Sequence, residues 1–341
     1  MRKRKSAFLL ALLLFLTTGC GKKSAPTPAE EPETPPVIEE PAAEPEVEPL
    51  PDVPTGTNPL TGLPIEPEYE QRRPVAVMLN NLKKAQPQLG NSQADIIYEV
   101  PAEGGITRML AVYQSLEDVG SIGSIRSARP YYIELALGHD ALYVHAGGSP
   151  EAYADLKSWK VEHIDGVNGG ARHDAVFWRD AERRKMKGYE HREGYSYTQA
   201  FTDEPLTGGT AAEHIKLNYT GYKTGLFDYD ADRGEYLVSQ YQAPYIDGNT
   251  GEQVVAVNVL FLETDISTIS GDKEGRQKVR TTGEGSGTLY RGGQSEEIHW
   301  SRKDRNSPFV YSLPDGSPLA LGRGRSYVCL INPHSSSVEL F

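Results

Sequence analysis

Cysteine is almost missing from this chain of 341 residues: there are two, Cys20 and Cys329. A framework of several disulfides is therefore excluded. Cys329 lies in the apolar run Ser326–Ile331 and reads as a small core residue. Basic charge is short as well. Lysine and arginine number 35 against 47 acids, a net of −12. Four of those cations are Arg2, Lys3, Arg4 and Lys5, and without them the ratio is 31 to 47. Residues 22–56 hold nine acids and two lysines, which leaves 29 basic and 38 acidic residues in the rest, or −9. A body so charged offers nucleic acid no general electrostatic surface, although a local basic pocket stays open. The first fifty-odd residues contribute little to a core, so about 285 residues are available for one large domain or two ordinary ones.

What is present begins with a leader. The four cations are followed by an apolar run over residues 7–16 and then by Thr17, Thr18, Gly19 and Cys20. A charged start, a short apolar core and small residues describe a secretory signal over residues 1–19, too short to span a membrane permanently. A cysteine at that point resembles the lipobox of bacterial lipoproteins. The resemblance implies a mature chain that starts at Cys20 and carries acyl chains there, with the lipid bilayer as its partner. With Cys20 so used, Cys329 has no partner and the fold has no disulfide. From residue 26 to residue 54, ten of twenty-nine positions are proline, mixed with eight glutamates and one aspartate. Such a segment has almost nothing to bury, and residues 20–57 read as an extended tether.

The body opens with a turn-rich stretch at residues 59–64, then Val75–Leu79, an uninterrupted apolar run suited to a strand buried on both faces. Asn80 and Asn81 end it, at least one of them as a cap. Residues 95–100 form a second strand, with Ile96, Tyr98 and Val100 on one side and Asp95, Ile97 and Glu99 on the other. Pro101, Gly104 and Gly105 argue against a helix that would pair Glu99 with Glu103. Residues 106–113 are a third strand. Arg108 lies on its apolar face, where it needs a partner, and Glu99 or Glu103 across the hairpin could supply one.

Residues 120–130 carry Arg126, Ser127 and Arg129 just before Pro130, which fits the first position of a helix ending near Gly138. The two arginines, Ser127 and the first-turn N–H groups could form an anion-binding corner. The competing reading pairs the arginines with the many acids. A strand over residues 141–146 carries His145, and Ser149 then caps a helix beginning at Pro150. Ser149 beside His145 suggests a nucleophile and base, but Ser149 already has a capping role and no acid is placed to orient the ring. His163, Asp165, His173, Asp174 and His191 follow at spacings that fit no metal pattern. Residues 179–187 read as a charged helical face. Strands dominate from residue 217 onward, with residues 254–262 the longest apolar run outside the leader. Residues 283–287 (Gly-Glu-Gly-Ser-Gly) lead to a strand rather than a helix and read as a turn, not a phosphate loop. No cofactor is expected.

Several stretches carry a family resemblance: RPVAVMLNN, QADIIYEVPAEGGITRMLAVYQS, GSIRSARPYYIELA and HAGGSPEAY in the first part, and GTLYRGG with EIHW in the second. Together with the leader and tether, these resemble the YerB-like family of bacterial lipoproteins, a two-part domain of unknown function. The resemblance implies an exported, membrane-anchored α+β protein. Its layered sheets carry helices in the first domain (residues 58–210), and its second domain (residues 211–341) is mainly β. It implies no reaction. The strand, turn and arginine rhythm is also similar to enzymes of the LytR-CpsA-Psr type, which attach anionic glycopolymers to the cell wall. Two functional expectations follow. One is a cell-envelope lipoprotein, facing outward, that binds an anionic glycan or an envelope protein. The other is a glycopolymer transferase or hydrolase. Candidate ligand-binding residues are Arg108, Arg126, Ser127, Arg129, Asp95, Glu99 and His145.

Overall fold

The computed structural model describes residues 56–167, 177–178 and 191–341. The leader, Cys20, the tether up to residue 55, His173, Asp174 and the charged stretch 179–187 lie outside the described residues.

The principal elements are β1 (Val75–Leu79), β2 (Ile96–Pro101), β3 (Thr107–Tyr113), α1 (Pro130–Gly138), β4 (Leu142–His145), α2 (Pro150–Ser158) and β5 (His163–Asp165). They continue with β6 (His214–Asn218), β7 (Thr224–Asp230), β8 (Glu235–Gln240), β9 (Asn258–Glu263), β10 (Gly283–Arg291), β11 (Gln294–Arg302), β12 (Ser326–Ile331) and β13 (Ser337–Leu340). The fold is α+β, with helices in the first part and almost only strands in the second.

A mixed sheet of eleven strands runs through both parts, its main path reading β11, β10, β9, β12, β2, β3, β1, β4, β5. Its centre is parallel, with β12 seated between β9 and β2 in the same direction as both. At one end β1, β4 and β5 are also parallel, with α2 as the crossover from β4 to β5. Strands with neighbours on both sides and layers on both faces need apolar residues throughout, and all five residues of β1 and all seven of β3 are buried. A second sheet of six strands includes β8, β7, β6 and β13 in that order.

Strand alternation sets the layers. Val100 lies opposite Arg108 and Glu99 opposite Met109, so the two pairs face opposite sides of the sheet. On the Val100 side lies α1, whose Tyr132 hydroxyl donates to the Val100 and Arg108 carbonyls. On the Glu99 side lies the second sheet, through Phe227 against Phe261 and Tyr327 and through Tyr245 against Met109.

The apolar run 254–262 serves both sheets. Val255 and Ala256 pair with β8, and from Asn258 the chain joins the large sheet. Asn258 is fully buried and holds the crossover by bonding both the carbonyl and the N–H of Gly322.

The glycine-rich stretch expected to be a turn is instead the first half of β10. A β-carbon at Gly285 would lie 2.7 Å from the Trp300 ring, and one at Gly287 2.6 Å from the Phe261 carbonyl. These glycines serve the close approach of flanking strands, not a change of direction.

Candidate functional site

The carboxyl ends of β1, β4 and β5 lie side by side, and residues 123–128 cross them. Ile125 bridges Leu79, the Arg126 N–H donates to the Met78 carbonyl, and the Arg126 carbonyl accepts from the Ala146 N–H. Ala128 bonds Gly147 in the same way. Arg126 is therefore clasped by its backbone at the end of a parallel sheet, where crevices for ligands form in open α/β sheets. It is half-buried and makes no ion pair or side-chain hydrogen bond with the described residues.

Arg108 and Arg129 do meet. Both bond Glu103, which sits in a single 3-10 turn (Glu103–Gly105) after β2. Arg108 lies 2.5 Å from one carboxylate oxygen and also donates to the Ser127 carbonyl at 2.9 Å. Arg129 donates to both oxygens of Glu103, at 3.2 Å to the second, and to the Ala128 carbonyl at 2.7 Å. Burial would raise the Glu103 carboxyl, but the two guanidinium groups outweigh it and hold it below the ordinary range. The corner is thus two cations around one anion, a net charge of +1. The start of α1 has no side-chain cap, and its N-cap residue is Arg129. A carboxylate of the protein already occupies the charge-binding role expected beside it. Ser127 contributes its backbone carbonyl to this cluster.

The other candidates lie elsewhere. Asp95 precedes β2, at the opposite end of that strand from Glu103. It accepts bonds from the Gln114 N–H at 2.6 Å and the Asn58 amide at 2.9 Å. Glu99 faces the second sheet, fully buried with Lys223, whose ammonium lies 2.8 Å away. Thr107, Asn81, Gln240 and Tyr327 also donate to the Glu99 carboxylate, at 2.6, 3.0, 3.0 and 2.5 Å. Burial pushes its carboxyl up, but Lys223 and these donors hold it below the ordinary range. Asn80 caps the turn, its side chain accepting from the Leu82 N–H.

His145 is buried at the end of β4. Its Nδ1 bonds the Gly147 carbonyl at 2.8 Å and its Nε2 bonds His163 Nδ1 at 2.9 Å, so both ring nitrogens are engaged. Burial lowers its pKa. Sequence placed no acid beside it, but parallel pairing brings Asp165 opposite, 4.0 Å from Nδ1. Asp165 chiefly fastens the turn: it accepts the Gly147 and Val167 N–H groups and the Tyr153 hydroxyl. Ser149 caps α2 through the Ala152 N–H at 3.1 Å and is buried. Ser149→Ala is expected to lower stability by about 1 kcal/mol in denaturant unfolding, the worth of an N-cap. A loss below a few tenths would mean that the serine serves something other than the helix. Among the described residues, no group of three His, Cys, Asp or Glu side chains is placed to hold a metal.

These features define a layered two-sheet α+β body with an arginine-bearing corner, in which His145 and Ser149 are each already bonded. Two family models match it, described as protein of unknown function (DUF3048), N-terminal domain over residues 60–205 and C-terminal domain over residues 215–328. The chain belongs to this two-part family. It is similar to a Bacillus subtilis (strain 168) protein named "Putative lipoprotein YerB", 28% identical over 97% of this chain and 96% of that one. The crystal structure of YerB from the same organism superposes with a TM-score of 0.72 at 28% identity, covering 83% of this chain and 99% of that one.

Proposed function

We propose that this chain is a lipoprotein anchored through acylated Cys20 and facing the extracytoplasmic side. In this reading its body binds an anionic group of a cell-envelope polymer at Arg126. The leader and the name of the near-full-length relative support the anchor. No helix among the described residues is long and apolar enough to cross a membrane. Metabolic labelling with a fatty-acid analogue is expected to mark the wild type and not Cys20→Ala; label retained in the variant would overturn the anchor.

One observation carries the binding reading: Arg126 has no acidic partner among the described residues, at the carboxyl ends of three parallel strands, in a protein with acids to spare. Isothermal titration with soluble poly(glycerol phosphate) tests it, with dextran as the uncharged control. Arg126→Ala is expected to weaken binding about tenfold, about 1.4 kcal/mol, and the affinity of the wild type is expected to fall with salt. Equal affinity in the variant would sink the reading. The second reading, a glycopolymer transferase or hydrolase, draws on the convergence of Arg108 and Arg129 on one carboxylate. Both oxygens of that carboxylate are bound by arginine, which suits positioning better than proton transfer.

A further inference from the structure

Lys223, Glu99, Gln240 and Asn81 meet on the face of the large sheet that carries the second one, and all four are fully buried. Lys223 immediately precedes β7, and Gln240 ends the neighbouring strand β8, where it pairs with Gly225. The lysine ammonium donates to the side-chain oxygen of Gln240 and lies 2.8 Å from Glu99 Oε1. The other oxygen of Glu99 accepts from the side-chain nitrogen of Gln240 at 3.0 Å. One carboxylate therefore bridges an amine and the nitrogen of the amide that the amine faces. Asn81 Nδ2 reaches the same Gln240 oxygen at 3.4 Å. The hydroxyls of Thr107 and Tyr327 hold the carboxylate in place. The rings of Tyr219 and Tyr241 lie 5.7 and 5.0 Å from the ammonium and close the site to water.

These are the parts of an amide exchange: an amine as nucleophile, an amide carbon, a proton carrier against both nitrogens and a donor aimed at the amide oxygen. The carbon lies one C=O bond, about 1.2 Å, beyond the oxygen that the ammonium meets. We propose that Lys223 and Gln240 become joined by an amide bond, a covalent tie between β7 and β8 that the folded protein makes for itself. The separate side chains are the state before reaction. A proton moves from the Lys223 ammonium to the Glu99 carboxylate, and the freed lone pair attacks Gln240 Cδ. Negative charge gathers on Oε1, where Asn81 donates. Glu99 hands its proton to the Gln240 nitrogen, the old carbon–nitrogen bond breaks, and ammonia leaves. The second proton shed by the lysine nitrogen stays on Glu99. An ammonium, a carboxylate and a primary amide thus become ammonia, a carboxylic acid and a secondary amide, with no oxidant or cofactor. One amide replaces another, so the bond itself changes little in energy. The removal of two buried charges and the escape of ammonia drive the exchange. The ion pair keeps the neutral amine scarce, which makes the step slow, but a bond made once per molecule needs no speed. Nothing here draws on Arg126, so this inference and the binding reading stand or fall separately.

Removing Lys223 destabilises the fold with or without the bond, so mass rather than stability is the test. Full-length protein in detergent, kept folded overnight at neutral pH, is denatured, digested with trypsin and read by tandem mass spectrometry. A linked lysine resists trypsin. Residues 217–233 are therefore expected as one piece joined to residues 234–273, lighter than the two together by one ammonia. Gln240→Met keeps the Lys223–Glu99 pair and is expected to release residues 217–223 as a free peptide. Glu99→Gln, checked as folded by near-UV circular dichroism, is expected to stay mostly unlinked, since a positioned proton carrier is worth about a hundredfold or more in rate. Wild type that yields only the free peptide 217–223, or Lys223 linked to any other side chain, overturns the proposal whether or not the variants fold. An undiminished link in folded Glu99→Gln overturns it as well.

Discussion

Replacing Lys223 with methionine is expected to lower stability by about 3–5 kcal/mol, read as a shift in the denaturant midpoint at constant slope. The cause lies less in the lost attraction than in what stays behind. Lys223 and Glu99 are both fully buried, and without the ammonium the Glu99 carboxylate remains charged in a dry interior or must take up a proton. The amine also bonds Gln240, and its nitrogen lies 5.0 Å from the centre of the Tyr241 ring, so several side chains lose a neighbour at once. Removing both charges together, as Glu99→Leu with Lys223→Met, is expected to cost less than the single change. A double variant that loses the sum of the two single losses would show that the pair is not coupled. Glu99 is held below the ordinary carboxyl range. Its contribution is therefore present above the unfolded pKa and is lost as pH falls through the folded one.

Acid is also expected to act through two further buried groups, of opposite sign. Burial raises the Asp95 carboxyl from 3.8 to about 6 against the pull of its hydrogen bonds to Gln114 and Asn58. The folded chain then holds that proton more tightly than the unfolded one. Stability from Asp95 is present at low pH and is lost as pH rises through about 6, up to about 3 kcal/mol at 1.4 per pH unit. His139 runs the other way. Burial, with Arg302 and His191 nearby, lowers it from 6.5 to about 3. The folded state keeps it neutral, so stability present above 6.5 drains as pH falls toward 3, on the order of 4–5 kcal/mol in full. Denaturant curves at pH 7 and pH 4.5 separate the two. Asp95→Asn is expected to lose stability on acidification more steeply than the wild type, by about 2 kcal/mol. His139→Gln is expected to lose it less steeply, by a similar amount. Shifts of the same sign in both variants would contradict this account.

Most of the first part was legible because its signals are local. The run at residues 75–79, the alternation from residue 95 and the proline before Tyr131 each state their element within a few residues. Glu103 was readable as a partner for Arg108 because the hairpin places them five residues apart. The rest depends on sequence separation. Lys223 and Gln240 reach Glu99 from more than a hundred residues away, and nothing in their own neighbourhoods marks them as buried. Asp165 comes to His145 through a parallel crossover, which sequence spacing does not display. The glycines at 283–287 misled because their role, room for Trp300 and the Phe261 backbone, is visible only once the neighbouring strands are known.

The middle strand of the large sheet, Ser326–Ile331, is made after nearly all the rest, yet both flanking strands pair with it in parallel. A ribosome that has released three hundred residues has delivered two half-sheets whose inner edges are bare. Glu99 at that moment has met Lys223 and Gln240 at best, and still waits for the Tyr327 hydroxyl. Assembly is therefore a late, all-at-once event governed by long-range contacts, slow by the measure of contact order. Until it happens the growing chain displays unpaired β2 and β9 edges, the species most prone to join the wrong partner.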